Sequence, residues 1–148
     1  MHGAFAGLVF GHRQTSPRVE LTADAGLRAT DVDYINAHAT STPLGDITEL
    51  KSVKRVFGGH ADRLVINAPK SMLGHCCWSA PTVETVAGLL QMQAGRLHQS
   101  INIDELDPAV DLDVCRDGPV DRRVRVMLKN SFGFGGINCV SLWRHYEG

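Results

Sequence analysis

Short apolar runs alternate with helical patterns along the chain, and glycine and polar clusters separate them. Val32 to Ala37 is β-branched and aromatic, and Leu64 to Ala68 is a second apolar run; both read as buried strands. Between them, Asp46 to Phe57 places Ile47, Leu50, Val53, Lys54 and Phe57 on helical periods and stops at Gly58-Gly59. A second helix runs from about Pro81 to Ala94. Proline sits in its first turn, where the missing N–H costs nothing, and Gly95 closes it. Arg18 to Leu27 shows helical spacing at Leu21 and Ala25, with Val19 and Ala23, and a stop signal at Gly26. Met1 to Phe10, rich in Ala, Gly, Val and Phe, reads as a truncated buried strand. His98 to Asp113 is extended and turn-rich, and Arg125 to Leu128 and Cys139 to Trp143 read as strands flanking a glycine-rich turn, Phe132 to Gly136. Strands alternating with helices and closed by a hairpin predict an α/β layered fold. No repeat or linker divides residues 1–148, so one domain is expected.

Composition narrows the function. The chain is 43% hydrophobic and 21% charged, which suits a soluble domain with its own core. Its net charge is −1 and its 15 Lys and Arg form no runs, which excludes a nucleic-acid footprint or a membrane-surface patch. Val86 to Leu90, among the longest apolar stretches, is far too short to span a bilayer, and the start lacks a basic leader and cleavage site. Four cysteines are too few and too irregular for a disulfide scaffold, so a reducing, cytoplasmic compartment is expected. A bridge between adjacent Cys76 and Cys77 would be strained. The run His75-Cys76-Cys77 lacks the intervening residues of a zinc site, so no metal is expected.

Chemistry concentrates in three segments that follow strands, and in open α/β sheets such loops hold the ligand. The first is Asn36-Ala37-His38-Ala39-Thr40-Ser41-Thr42-Pro43-Leu44-Gly45-Asp46: a histidine leaving a strand, hydroxyls at alternate positions, and small residues that admit a ligand. Taken alone, His38 reads more simply as a hydrogen-bonded core histidine, and Thr42 as a helix cap. The second is Pro69 to His75, where Lys70 and His75 flank Gly74 just before a helix whose amino terminus favours negative charge. Lys70 beside an apolar strand needs a counter-ion, for which Asp46, Glu49 and Glu84 are the candidates; a structural ion pair is the plain alternative. The third is Asn130-Ser131-Phe132-Gly133-Phe134-Gly135-Gly136, whose glycines allow a tight backbone able to aim N–H groups at an oxygen, or a plain hairpin turn. Together the three suit an anionic or enolate-forming acyl substrate.

These segments closely resemble, in order and spacing, three signatures of the β-ketoacyl carrier-protein synthases of the thiolase superfamily. Ser100 to Ile103 and Asp111 to Asp113 fit as well, and the likeness runs from about Ala23 to the end. The resemblance implies the carboxy-terminal half of a thiolase-like layered fold, with a mixed sheet and helices. It implies decarboxylative condensation of malonyl carrier protein with an acyl thioester, in fatty-acid or polyketide synthesis. His38 and His75 then resemble the paired histidines that bind the malonyl thioester carbonyl, and Lys70 the lysine supporting the second of them. Glu49 and Glu84, with Asp46 nearby, stand as supporting charge. Thr40 and Thr42 match hydroxyls that bind the pantetheine arm, Phe134 matches a gating phenylalanine whose N–H joins an oxyanion hole, and Gly135 lies in the same substrate-binding turn. No cofactor is implied beyond the phosphopantetheine arm of an acyl carrier protein, which is the implied partner.

The chain departs from the family pattern in places. The family's nucleophilic cysteine lies in its amino-terminal half, and Cys76 and Cys77 stand where the family has no nucleophile. Trp78 and Pro81 replace small residues, Ile137 stands where threonine is common, and the region before Ala23 is short, so residues 1–22 read as truncated or divergent. A single half exposes an apolar face. An amino-terminal half or a dimer partner is therefore expected, the alternative being a non-catalytic carrier-protein-binding subunit or a decayed fragment.

Overall fold

A computed structural model of the chain describes residues 5–11 and 25–146. Seven strands are present among these residues: β1 (Phe5–Gly11), β2 (Tyr34–Asn36), β3 (Val65–Asn67), β4 (Arg96–Leu97), β5 (Val120–Asp121), β6 (Val126–Gly133) and β7 (Ile137–His145). Three α-helical segments accompany them: α1 (Gly45–Phe57), the single turn α2 (Lys70–Leu73) and α3 (Ala80–Ala94). A mixed sheet runs in the order β1-β7-β6-β2-β3, while β4 and β5 form a separate antiparallel ribbon. β2 is parallel to both β3 and β6, and β7 is antiparallel to β6 and β1.

The pleat sorts the core into two layers. Ile35, Ile66 and Leu128 pack against Leu50, Val53 and Phe57 of α1 on one face. Tyr34, Val65 and Met127 pack with Met92 of α3, Leu97 and Val124 on the other. The result is the layered α/β arrangement expected. Helix α3 lies tight on the strands because Gly88 has no side chain; a Cβ there would meet Met127 Sδ at 2.4 Å and Asn36 Nδ2 at 3.0 Å. Its outward side leaves Val83, Val86 and Leu90 exposed.

Both long predicted helices form within a residue of their expected starts, and Gly95 closes α3 in the left-handed conformation. The predicted strands at 32–37 and 64–68 shorten to their central three residues. Of the amino-terminal run, Met1 to Ala4 lie outside the described residues, and Phe5–Gly11 forms β1, which among the described residues pairs with β7 at the sheet edge. The helix read over Arg18 to Leu27 lies outside the described residues up to 24; Ala25 and Gly26 form a turn.

Three features differ from expectation. Lys70 to Leu73, read as loop, winds into one helical turn because the N–H groups of Ser71, Met72 and Leu73 bond back to Ala68 and Pro69, until Gly74 at φ 69° ends it. The ribbon β4–β5 has no sequence signal because two residues are too few to show alternation. β6 runs on through Lys129, Asn130 and Ser131, polar residues that mask a strand whose buried side chains serve ion pairs and hydrogen bonds. No helix among the described residues is long and apolar enough to cross a membrane.

Core and surface positions should separate in a urea titration. Leu128→Ala, fully buried in β6, is expected to cost about 2–5 kcal/mol. Leu90→Ala, 59% exposed on α3, should stay within roughly 0.5 kcal/mol.

Candidate active site

Because β2, β3 and β6 run parallel, their carboxyl ends share one edge of the sheet. The three segments singled out in the sequence leave from that edge. His38 follows β2, Lys70 opens α2 just past β3, and Gly133 leads β6 into a 3-10 turn, Phe134–Gly136, with Gly135 and Gly136 at φ 79° and 78°.

Burial of charge organises the site. Lys70 Nζ lies 2.7 Å from one Glu84 carboxylate oxygen and Lys129 Nζ lies 2.7 Å from the other. All three side chains are at most 5% exposed. Lys129 also donates to the Asn130 carbonyl, and burial holds its ammonium below the usual lysine range, with Glu84 opposing that shift. Glu84 starts from the first turns of α3, where its own carbonyl accepts Asn36 Nδ2 at 2.8 Å. On the opposite face, the buried Glu49 of α1 accepts the N–H groups of His38 (3.0 Å) and Ala39 (2.9 Å) and Asn130 Nδ2 (2.6 Å).

The two imidazoles converge, with ring centroids 6.1 Å apart and planes at 88°. Lys70 Nζ lies 3.3 Å from His38 Nδ1, and an ammonium only donates, so that nitrogen accepts. At His75 the Cys77 N–H donates to Nδ1 at 3.0 Å. Both rings, when neutral, therefore carry their proton on Nε2. Burial, and then the Lys70 ammonium, pushes His38 down to about 4, so it is neutral near pH 7. Phe132 packs edge-on against His38 at 5.4 Å.

The backbone around these rings is bent into the left-handed region at Ala39 (φ 34°), Ser41 (φ 60°) and Cys77 (φ 49°). In each case a side chain holds the N–H: Glu49 at Ala39, Asp46 Oδ1 at Ser41 (3.1 Å) and His75 at Cys77. The strain is local and each instance has its own anchor.

Of the three acids considered for Lys70, only Glu84 pairs with it. Glu49 and Asp46 serve backbone N–H groups instead, because both sit on α1, while the ammonium points to the α3 side of the sheet. Thr42 Oγ1 accepts the Gly45 N–H at 3.2 Å, although the N-cap position of α1 is Leu44, which has no side-chain cap bond. Thr40 and Thr42 crowd over Gly45, where a Cβ would meet their hydroxyls at 3.8 and 2.3 Å. Phe134 and Gly135 stand exposed at the hairpin tip, and it is Phe132 that reaches His38. Lys129, Phe132 and the Asn130 side chain went unassigned in the sequence. Lys129 directly after the apolar Val126-Met127-Leu128 is the one sign in the sequence.

All four cysteines are free thiols. Cys115 is buried and pushed up to about 12 by that burial. Cys76 bonds the carbonyls of Leu73 and Gly74, and Cys77 that of His75, at 3.7–3.9 Å. Among the described residues, no thiol is hydrogen-bonded to an imidazole nitrogen.

Residues 11–104 match the family described as beta-ketoacyl synthase, C-terminal domain. The chain is 45% identical over 122 residues to nodulation protein E of Rhizobium sp. (strain N33), an alignment covering 82% of this chain and 30% of that protein. It is 40% identical over 139 residues to the chloroplastic 3-oxoacyl-[acyl-carrier-protein] synthase I of Arabidopsis thaliana, covering 87% and 29%. Among solved structures, it superposes with a TM-score of 0.84 and 34% identity on a type II polyketide ketosynthase bound to its acyl carrier protein, covering 88% of this chain and 32% of that one. A beta-ketoacyl synthase from Burkholderia phymatum STM815 gives a TM-score of 0.82 at 30% identity, covering 97% and 36%. The chain thus spans about 30% of the length of the curated relatives it matches.

Two outcomes follow for the site. Glu84→Gln leaves two buried ammoniums without their anion and should cost about 3–5 kcal/mol by urea denaturation. The second concerns acid. His38 takes a proton near 6.5 when unfolded and near 4 when folded, so between these values the unfolded state binds more protons. The contribution is complete above pH 6.5 and disappears as pH falls towards 4. The stability gap between the native chain and His38→Asn should narrow across that window; a gap that does not change with pH contradicts the assignment.

Proposed function

The chain belongs to the β-ketoacyl synthases, as their carboxy-terminal domain, and we propose that it supplies the enolate-stabilising half of a decarboxylative condensing site. In this reading a malonyl thioester, delivered on the phosphopantetheine arm of an acyl carrier protein, places its thioester carbonyl between His38 and His75. The bond to the carboxylate breaks, carbon dioxide leaves, and the electron pair moves into an enolate whose oxygen takes the two Nε2–H donors. The enolate carbon then attacks an acyl thioester on a cysteine, forming the new carbon–carbon bond and releasing the cysteine thiolate.

The observation that carries this reading is the filling of both Nδ1 positions by donors. With Nδ1 taken on both rings, Nε2 is the nitrogen left to each imidazole for donating to an oxygen bound between them. Thr40 and Thr42 are proposed to meet the pantetheine arm, and the Phe134–Gly136 turn to complete the oxyanion contacts. None of the four thiols here is placed as a nucleophile, so the acyl-bearing cysteine is proposed to come from an amino-terminal half. That half would seat on the uncovered face that carries Trp78, Val83, Val86 and Leu90, all exposed apolar side chains along the entry to and length of α3. Fatty-acid and polyketide assembly share this chemistry, and cytoplasmic placement is proposed along with it.

A non-catalytic carrier-protein-binding subunit is the second reading, favoured by Trp78, which is 99% exposed three residues past His75. The two readings separate in one assay. The chain is combined with an amino-terminal ketosynthase half, and carbon dioxide release from malonyl carrier protein is measured. His38→Ala and His75→Ala should each lower the rate by about 10²–10³ while carrier-protein binding persists. Equal rates in the native chain and both variants overturn the catalytic reading and leave the binding one.

A further inference from the structure

Lys129 is a buried cation that the proposed reaction does not require. It stands in β6 opposite Asn36 of β2, on the α3 face of the sheet. Its ammonium occupies the Glu84 oxygen that Lys70 leaves open. One carboxylate therefore carries two ammoniums, and the trio holds one more positive than negative charge. A lone Lys70–Glu84 pair would already be neutral, and taking a third ion out of water costs several kcal/mol that only its contacts with Glu84 and the Asn130 carbonyl offset.

The geometry points to Lys129 as a positioning residue for His38: it fixes the second oxygen of Glu84, so that Lys70 is held against His38 Nδ1, and its surplus charge keeps the imidazole neutral with its proton on Nε2. This rests on the reading of His38 as an enolate donor. The groups that bear on the His38 ring come from every element around it. Lys70 on α2 and Lys129 on β6 disfavour the imidazolium, while Glu49 on α1 and Glu84 on α3 favour it. His75 faces the ring from the loop after α2. With both lysines present, burial and repulsion act together against protonation. Without Lys129, its repulsion of the imidazolium is gone and Glu84 loses one of its two partners, so the balance at His38 shifts towards the imidazolium. Glu84 is then also free to turn about its side chain, which loosens the Lys70 contact.

The test is a titration of the imidazoles in the full chain, by long-range proton–nitrogen correlation from about pH 8 to about pH 4. In the native chain His38 should show the Nε2–H tautomer over most of that range. Lys129→Met should raise its midpoint by roughly one unit, about tenfold in proton affinity. Lys129→Arg, which keeps the charge, should restore the low midpoint, and Lys51→Met, at an exposed position on α1, should leave it unchanged. If Lys129→Met does not fold, Lys129→Gln, which keeps a donor to Glu84 and removes the charge, carries the same expectation. An unmoved His38 midpoint in the neutral variants, an equal shift in Lys51→Met, or an Nδ1–H tautomer in the native chain overturns the inference. Decarboxylation plays no part in this measurement, so a chain that never supports catalysis can still pass it, and an active one can still fail.

Discussion

Glu84 holds two ammonium groups, one on each oxygen, in a place that water does not reach. Ions of this kind are tolerated inside a protein only when their partners are fixed and close. Much of the local architecture meets that demand. Helix α3 must lie near enough to the sheet for its first turns to reach the strands, which Gly88 permits. The Asn36 side chain ties the helix backbone to β2 at the same level. The chain after β3 must turn sharply so that Lys70 points back inside, which the single turn of α2 achieves. The ion cluster and the approach of the helix are thus one arrangement.

The imidazoles are held in a different manner. His38 is gripped twice, by Lys70 at its ring and by Glu49 at its backbone, from opposite faces of the sheet. His75 sits in the open and is set by its own neighbour, the Cys77 N–H. The left-handed residues near both rings each have their N–H bonded to a side chain, so strain and its remedy are adjacent in space. One ring is therefore held by contacts from distant elements and the other by its own neighbour in the chain. A surface that covers His75 would change its surroundings far more than those of His38.

What could be read from the sequence was whatever depends on near neighbours along the chain. Period and capping residues marked α1 and α3, and the residue types of the three segments marked the sheet edge. Contacts between distant positions were not legible. Glu49, Asp46 and Glu84 were equal candidates for Lys70, because choosing among them requires knowing which face of the sheet each element covers. Lys129 was passed over for the same reason: a lysine at a strand position normally marks solvent, and only the arrival of α3 above it turns that position inward. The glycine-rich turn was visible, but the ring that reaches His38 belongs to Phe132, whose inward direction follows from the pleat of a strand longer than the apolar run suggested.

Lys129 and Asn130 are consecutive, so they point to opposite sides of β6, one towards Glu84 and the other towards Glu49. A slip of this strand by a single residue would turn each to the opposite face. The ammonium would then leave Glu84 for the face that carries Leu50, Val53 and Phe57, and Glu84 would keep only Lys70 as a charged partner. In most sheets a shifted pairing is penalised only by mismatched greasy surfaces, which tolerate compromise. Here a shift of the central strand also separates an ammonium from its buried carboxylate, so charge as well as shape specifies the alignment.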